Sequence, residues 1–342
     1  MRRQAKWCAA LALLFCGCTG DAPEETPQVN QGQRPLAQPP ANVVGGFYIQ
    51  LPEQTLEPGD EAFPCWIFPL EITGPSRIVG GGKLATGPGM HHGNITTRPV
   101  TEGEGIRPCE TGEGSNNGAV EADDILKGGS VLFGSSTQME GEEWQSFPDG
   151  MGYRVVDGYE IVARMHYLNT TSDSLTVAPR YEWFTIDEAK LTQELGPFAW
   201  QMSGFSIPPL STYTIKSQCR PVEPMYIVNA MPHMHALGTA FFGSYVGGPF
   251  AGQRWLDSRG YDPDNGVIVQ YAPAIDASLG EAVEWGCTWM NTFDKTIVEG
   301  TGDNEMCILF GYAYPYDFAY SALALEGDHC VLVQPPKPGS GL

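Results

Sequence analysis

Short runs of β-branched and aromatic residues alternate with clusters of Gly, Pro, Asn and Asp from Val43 onward. Runs of this length and composition, bounded by turn residues, are typical of β-strands. The clearest ones cover residues 47–51, 65–68, 131–133, 159–167 and 225–228. The pattern therefore predicts an all-β chain.

Helical periodicity is scarce along the same stretch. Residues 185–195 are the one segment with good helix formers and an acidic first turn, and Gly196 and Pro197 follow it. We predict a short helix there, at a domain junction. Each side of the junction then holds roughly 145 residues, a usual size for an antiparallel sandwich. The expected domains are two tandem antiparallel β-sandwiches, at 43–190 and 191–336.

The N-terminus has the features of an export signal. Three basic residues precede an apolar run from Trp7 to Cys18. Gly17 directly before Cys18 resembles the lipobox of bacterial lipoproteins, so we predict a signal peptide over 1–18 with Cys18 acylated. Ordinary cleavage in the same region is the alternative. The proline-rich polar residues 19–42 predict a flexible linker, and we expect a lipoprotein of a bacterial cell envelope, or otherwise a periplasmic or secreted protein.

Composition and charge narrow the class of partner. Apolar residues make up 42% of the 342 residues and charged residues only 17%, which does not fit a disordered acidic chain. The 40 Asp and Glu residues outnumber the 19 Lys and Arg residues, so the formal net charge is −21. This charge argues against nucleic acid or an anionic membrane face as a partner. We expect a monomer that meets the membrane only through its lipid anchor.

Six cysteines remain after the leader, an even number in a chain expected to be exported, so we predict disulfide bonds. They are Cys65, Cys109, Cys219, Cys287, Cys307 and Cys330. If bridges stay within domains, Cys65 pairs with Cys109, and three connectivities remain for the other four. The chain contains no CxxC pair, which argues against a structural zinc site.

Five of the six histidines fall at three places in the chain, and their pattern suggests metal binding. They are His91, His92, His166, His233 and His235. Residues i and i+2 of a strand face the same side, so regular β geometry lets His233 and His235 converge on one ion. The neighbours His91 and His92 need a bulge or turn, which the flanking glycines permit. The alternative for a single strand histidine, such as His166, is a satisfied core or rim residue.

The second half has two histidines and needs a further ligand. Met306 lies directly before Cys307, which could fix its backbone. Imidazole suits zinc, copper, nickel and iron alike, whereas a thioether is a soft ligand that favours copper, especially Cu(I). A core position is the alternative for this methionine.

Four ordered motifs resemble the copper type II, ascorbate-dependent monooxygenases, the family of peptidylglycine α-hydroxylating and dopamine β-monooxygenases. The motifs are His91-His92 after a glycine-rich segment, residues 165–169 (MHYLN), residues 232–238 (PHMHALG), and residues 287–291 (CTWMN) leading to 305–307 (EMC). The resemblance spans nearly the whole body. It implies that one copper ion is held by His91, His92 and His166 and a second by His233, His235 and Met306.

The same resemblance implies a fold, a pairing of cysteines and a mechanism. The family fold is two tandem antiparallel jelly-roll-like β-sandwiches. The implied bridges are Cys65–Cys109, Cys219–Cys330 and Cys287–Cys307. In the family, the copper ion held by three histidines stores an electron from ascorbate. The other copper ion, at His233, His235 and Met306 here, binds O2 beside the substrate for C–H hydroxylation.

The substrate is a small organic or peptide-like molecule that the sequence does not identify. Peptide-hydroxylating members hold a carboxylate with an Arg just before the HxH motif and with polar groups after the ligand methionine. Met231, Ile308 and Phe310 occupy the comparable positions here, which argues against a peptidylglycine substrate.

Other functions compatible with the same residues are an exported copper-binding lipoprotein without turnover, an interaction module built on the double sandwich, and a zinc metallohydrolase. The metallohydrolase is disfavoured because the histidine motifs contain no carboxylate ligand or general base, although a distant Asp or Glu could supply one.

Overall fold

β-strands carry almost all of the regular structure. The computed structural model describes residues 32–33, 36–100, 105–110, 129–135, 140–220, 224–261, 268–300, 304–315 and 330–333, and these contain no α-helix. The strands before residue 195 are β1 (Val43–Gln50), β2 (Gln54–Leu56), β3 (Glu61–Ala62), β4 (Cys65–Pro69), β5 (Ile78–Thr86), β6 (Met90–Pro99), β7 (Arg107–Pro108), β8 (Val131–Gly134), β9 (Gly141–Ser146), β10 (Met151–Arg154), β11 (Tyr159–Leu168), β12 (Leu175–Val177), β13 (Arg180–Ile186) and β14 (Gln193–Glu194).

These strands form the first sandwich. One sheet has the order β1-β13-β5-β10-β14 with β9 also on β5, and the other has the order β7-β4-β11-β6-β8 with β3 also on β11. The pairing is antiparallel except between the short strands β10 and β14. Apolar side chains that alternate with polar ones along the strands meet between the sheets. Trp183, Tyr181 and Ile95 are among those that are almost fully buried there.

The second sandwich uses the remaining strands. They are β15 (Gly196–Gln201), β16 (Ser206–Ile207), β17 (Ser211–Cys219), β18 (Tyr226–His233), β19 (Gly238–Val246), β20 (Arg254–Arg259), β21 (Val269–Asp276), β22 (Ala282–Asn291), β23 (Ile297–Val298), β24 (Ile308–Tyr314) and β25 (Cys330–Val333). The sheet β15-β24-β18-β21 packs on the sheet β20-β19-β22-β17-β25. Four tryptophans fill this core: Trp200, Trp255, Trp285 and Trp289.

The predicted all-β fold of two tandem antiparallel jelly-roll-like sandwiches is confirmed. The five runs singled out in the sequence contribute to β1, β4, β8, β11 and β18.

The helix expected over 185–195 is wrong. Strand β13 continues through Ile186 in its ladder with β1, a single 3-10 turn covers Glu188–Lys190, and β14 follows. Thr185 and Ile186 are buried in the sheet. Pairing and burial of the strand override the local helix propensity.

The predicted signal peptide and Cys18 lie outside the described residues. Part of the predicted linker is described, and it is not a free tether, because Gln33 exchanges two backbone hydrogen bonds of 2.7 and 2.6 Å with Gln270 of β21. No helix in the described part of the chain is long and apolar enough to cross a membrane.

Two of the implied disulfides are present, Cys65–Cys109 and Cys287–Cys307, each within one sandwich. The ladder between β17 and β25 places the backbone of Cys219 opposite that of Cys330. This register agrees with the third implied pairing, Cys219–Cys330, which stays a prediction.

The two sandwiches contact each other through strands β18 and β24 of the second. Tyr312 on β24 stacks on Tyr153 with ring centroids 5.1 Å apart, and its hydroxyl donates to the carbonyl of Val131. Gly134 at the end of β8 lacks a side chain where Met231 of β18 approaches, since a Cβ there would lie 2.6 Å from the methionine Cε. These contacts bring the ends of β6 and β18 together.

Candidate metal centre

A bulge in the ladder between β6 and β11 brings the first three histidines together. His166 on β11 lies opposite His92, whereas the next residue, Tyr167, lies opposite Met90. His91 is therefore the extra residue of the β6 strand, the irregularity that the sequence predicted for this pair.

The ligand atoms of His91, His92 and His166 all lie within 4.8 Å of one another. The Nδ1 atom of His166 is 3.2 Å from the Nε2 atom of His92. Two imidazole nitrogens bound to one ion at metal–nitrogen distances of about 2 Å are about 3.3 Å apart in tetrahedral geometry. The rings of His92 and His166 are thus already spaced as two ligands of one ion, and that of His91 lies close to both.

Glu61 orients His166, a contact that the sequence analysis missed. The Nε2 atom of His166 lies 2.7 Å from Oε1 of Glu61, and because a carboxylate accepts, the ring donates from Nε2. Phe63 stacks on the face of the ring with centroids 4.3 Å apart. The Nδ1 lone pair is left facing the other two histidines, the arrangement in which a carboxylate fixes the tautomer of a metal-binding histidine.

The second pair of histidines lies at the end of β18. His233 is the last residue of the strand, whereas His235 lies beyond it in a turn that the Gly238 N–H closes on the His235 carbonyl. The prediction that regular strand geometry aligns the two rings is therefore wrong for His235. The rings are nevertheless adjacent, with centroids 5.2 Å apart.

Glu305 holds this turn in place, and sequence reasoning missed it. Its buried carboxylate accepts hydrogen bonds from the backbone N–H groups of His235 and Leu237 and from the indole N–H of Trp289, at 2.7 to 2.9 Å. A fourth N–H, from the backbone of Met306, also donates to it. The charged residue directly before Met306 was the available signal, but only the fold shows which donors it meets.

The ring of His235 is oriented in turn by the neighbouring residue Asn304. Its Nδ1 atom donates to the carbonyl of Asn304 at 2.7 Å. The Nε2 atom is buried and has no hydrogen-bond partner. An unsatisfied buried polar atom is costly, and a metal ion at this position would satisfy the lone pair. The donor set therefore fits a metal ion.

Met306 is placed on the same segment. It is partly buried and lies between Glu305 and Cys307, which is bonded to Cys287 on β22. Residues 304–307 are thus tied to the turn of His235 by a ring and a carboxylate, and to β22 by a disulfide. Met306 directly follows Asn304 and Glu305, the two residues that hydrogen-bond to His235.

The two groups of candidate ligands meet across the domain interface. The ring of His92 lies 5.4 Å from that of His233 and 6.5 Å from that of His235. The sequence predicted two separate pockets, one in each domain, whereas the structure shows a single continuous cluster of five imidazoles. The reason is the packing of β18 against the first sandwich, which no local pattern in the sequence records.

Burial favours the neutral form of four of the five imidazoles. Burial, reinforced by the neighbouring imidazoles, holds the pKa values of His92 and His233 well below 6.5. Burial and His235 lower the pKa of His166 to about 4, and burial also lowers that of His235. Burial raises the pKa of Glu305 to about 7, against the effect of its four N–H donors. Neutral imidazoles are the form that binds a metal ion.

No family model matches the chain, and no curated protein matches it. Among solved structures, the chain is similar to one described as "Crystal Structure of the STIV MCP", with 10% sequence identity and a TM-score of 0.30. The similarity covers 81% of this chain and 95% of that chain.

Proposed function

We propose that this protein is an exported copper-dependent monooxygenase. It would hydroxylate a C–H bond of a small organic or peptide-like substrate with O2 and with ascorbate or a similar one-electron reductant. The observation that carries the proposal is the cluster of five imidazoles, four of them buried and with lowered pKa values, with Met306 on the adjoining segment. A mixed imidazole and thioether donor set is soft enough to hold Cu(I), the state that reacts with O2.

The chain provides two ligand sets for two copper ions. His91, His92 and His166 form the first set, and the second set consists of His233, His235 and Met306. Bound copper supplies one-electron transfer and the activation of O2. The protein supplies neutral donors, fixed ring orientations and an environment with little water.

The residues beside His233 favour a substrate with an apolar surface. In the ladder between β18 and β24, Met231 lies opposite Phe310 and His233 lies opposite Ile308. Residues directly opposite each other, and residues two apart on one strand, share a face of the sheet. The imidazole thus has an apolar residue across the ladder and another two positions before it on β18, and none of the three apolar residues could pair with a carboxylate.

The proposal is tested with the copper-loaded full chain, ascorbate and a panel of apolar and carboxylate-bearing candidate substrates. We expect substrate-dependent O2 consumption and incorporation of one atom of 18O2 into a hydroxylated product. The copper-free chain with the same substrate and ascorbate is the negative control. Equal substrate consumption in both samples would indicate a reaction in solution that does not need the copper-loaded protein.

A different result would identify the alternative function. Stoichiometric copper binding without substrate-dependent O2 uptake over the whole panel would indicate an exported copper-binding protein without turnover. Failure to bind copper at all would remove both functions.

A further inference from the structure

Imidazole rings are spaced as closely across the domain interface as within each ligand set. Ring centroids are 5.1 Å apart for His91 and His92, and 5.2 Å apart for His233 and His235. The distance across the interface, from His92 to His233, is 5.4 Å. Two imidazoles that share one ion at metal–nitrogen distances of about 2 Å have centroids about 5 Å apart. The distance between the rings of His92 and His233 is therefore close to that expected for two imidazoles that bind the same ion.

His92 lies at the centre of the cluster. Its ring is 4.9 Å from that of His166 in its own set and 6.5 Å from that of His235 in the other. The ring of His92 thus lies within 6.5 Å of each of the other four imidazole rings. Ions held by the two sets would have adjoining coordination spheres.

The approach of the two sets is built into the packing of the domains. Gly134 lies opposite Asn94, two residues after His92 on β6, and it receives the side chain of Met231, two residues before His233 on β18. The contact therefore lies directly beside a ligand on each side. The stacked pair Tyr153 and Tyr312 anchors the same interface.

We propose that the five imidazoles and Met306 form one coupled dinuclear copper site across the domain interface, rather than two independent mononuclear sites. This inference rests on the copper-binding function proposed above. It assigns to the interface itself a role in binding, because the pair of ions exists only while the two sandwiches are packed together.

The test is to load the full chain with Cu(II), measure copper per chain by metal analysis, and record the electron paramagnetic resonance spectrum. We expect two coppers per chain, an integrated spin intensity clearly below that of two isolated ions, and a half-field transition. Coupling between neighbouring unpaired spins produces both effects.

The possible failures are distinguishable. Two coppers per chain with the full intensity of two spins and no half-field signal would overturn the coupled site while leaving the copper-binding function intact. Fewer than two coppers per chain would overturn the ligand assignment, and the proposed function would fall with it.

Two variants sharpen the test. His233→Ala removes one ligand of the second set, and we expect one copper per chain with the full intensity of one spin. Gly134→Phe places a ring where Met231 packs, and we expect two coppers per chain with spin intensity restored towards that of two isolated ions. Coupling that is unchanged in a folded Gly134→Phe variant would show that the domain contact does not set the distance.

Discussion

The carboxylate of Glu61 lies 2.7 Å from Nε2 of His166 and fixes which nitrogen of the ring faces the cluster. Removing a carboxylate that orients a metal-binding histidine typically lowers metal affinity by about 10- to 100-fold. We therefore expect Glu61→Ala to weaken copper binding at the first set by that factor, measured by competition with a chelator.

The controls for Glu61 separate orientation from charge. Glu61→Gln retains an oxygen that can accept from Nε2, so it should recover most of the affinity. Glu53→Ala removes an exposed carboxylate from the same region and should leave affinity unchanged. Equal losses in Glu61→Ala and Glu53→Ala would show that only net charge matters.

Met306 is expected to hold the second copper through its thioether. Met306→Ala should abolish turnover and reduce the copper content from about two to about one ion per chain, because the first set is intact. X-ray absorption of the reduced protein should lose its sulfur scatterer. Met290→Ala, at a methionine that is 52% exposed, is the matched control. Full activity in Met306→Ala, or a reduced wild-type spectrum without sulfur, would remove Met306 from the site.

Glu305 joins the turn of His235 to the segment that carries Met306. Glu305→Gln replaces one acceptor oxygen with an N–H2 group that faces N–H donors, which should destabilise the protein by about 2 to 4 kcal/mol. The expected result is a lower denaturation midpoint together with weaker copper binding at the second set. Glu299→Gln, at a neighbouring carboxylate that accepts from Gln201 and Gly204, is the comparison. Loss of stability without any change at the second copper would contradict a positioning role.

The disulfide between Cys287 and Cys307 closes a loop with a sequence separation of 20. Cross-linking a loop of this size stabilises a protein by about 3 kcal/mol, chiefly by restricting the unfolded chain. Replacing both cysteines with alanine should lower the free energy of unfolding by that amount and weaken copper binding at Met306. The double substitution avoids a free thiol that could itself bind copper. An unchanged free energy of unfolding in the double variant would contradict this prediction. It would indicate that strain in the native disulfide cancels the stabilisation gained from restricting the unfolded chain.

The metal-free protein should lose stability as the pH falls from about 6.5 towards 4. The pKa of His166 is about 4 in the folded chain against 6.5 when unfolded, so the unfolded state binds more protons in this window. Its contribution is fully present above pH 6.5 and is on the order of 3 kcal/mol. His92 and His233 act in the same direction. Glu305 acts in the opposite direction, because its pKa is raised to about 7, and we expect the three histidines together to outweigh it. Urea midpoints at pH 7 and pH 5 measure the effect.

The matched variant for the pH dependence is His166→Gln, which cannot take up a proton. Its stability should vary less with pH than that of the wild-type chain. An identical slope in both proteins would assign the pH dependence to other groups.

Local sequence determined the elements of the fold and the identity of the candidate ligands. Alternating apolar residues and frequent turn residues specify strands, because each strand must bury one face and end where a turn begins. The glycines around His91 and His92 likewise permit the bulge that the β6 ladder contains. The helix predicted over 185–195 failed because Thr185 and Ile186 find partners in a sheet, a long-range contact that outweighs propensity.

Tertiary structure alone decided how the ligands are arranged. Glu61 and Glu305 lie 105 and 70 residues from the histidines they contact, so no spacing along the chain reveals them. The 5.4 Å between His92 and His233 depends on how one sandwich packs against the other. Residue types determine which atoms can bind a metal ion. Only the folding of distant segments onto each other determines which side chains can bind the same ion.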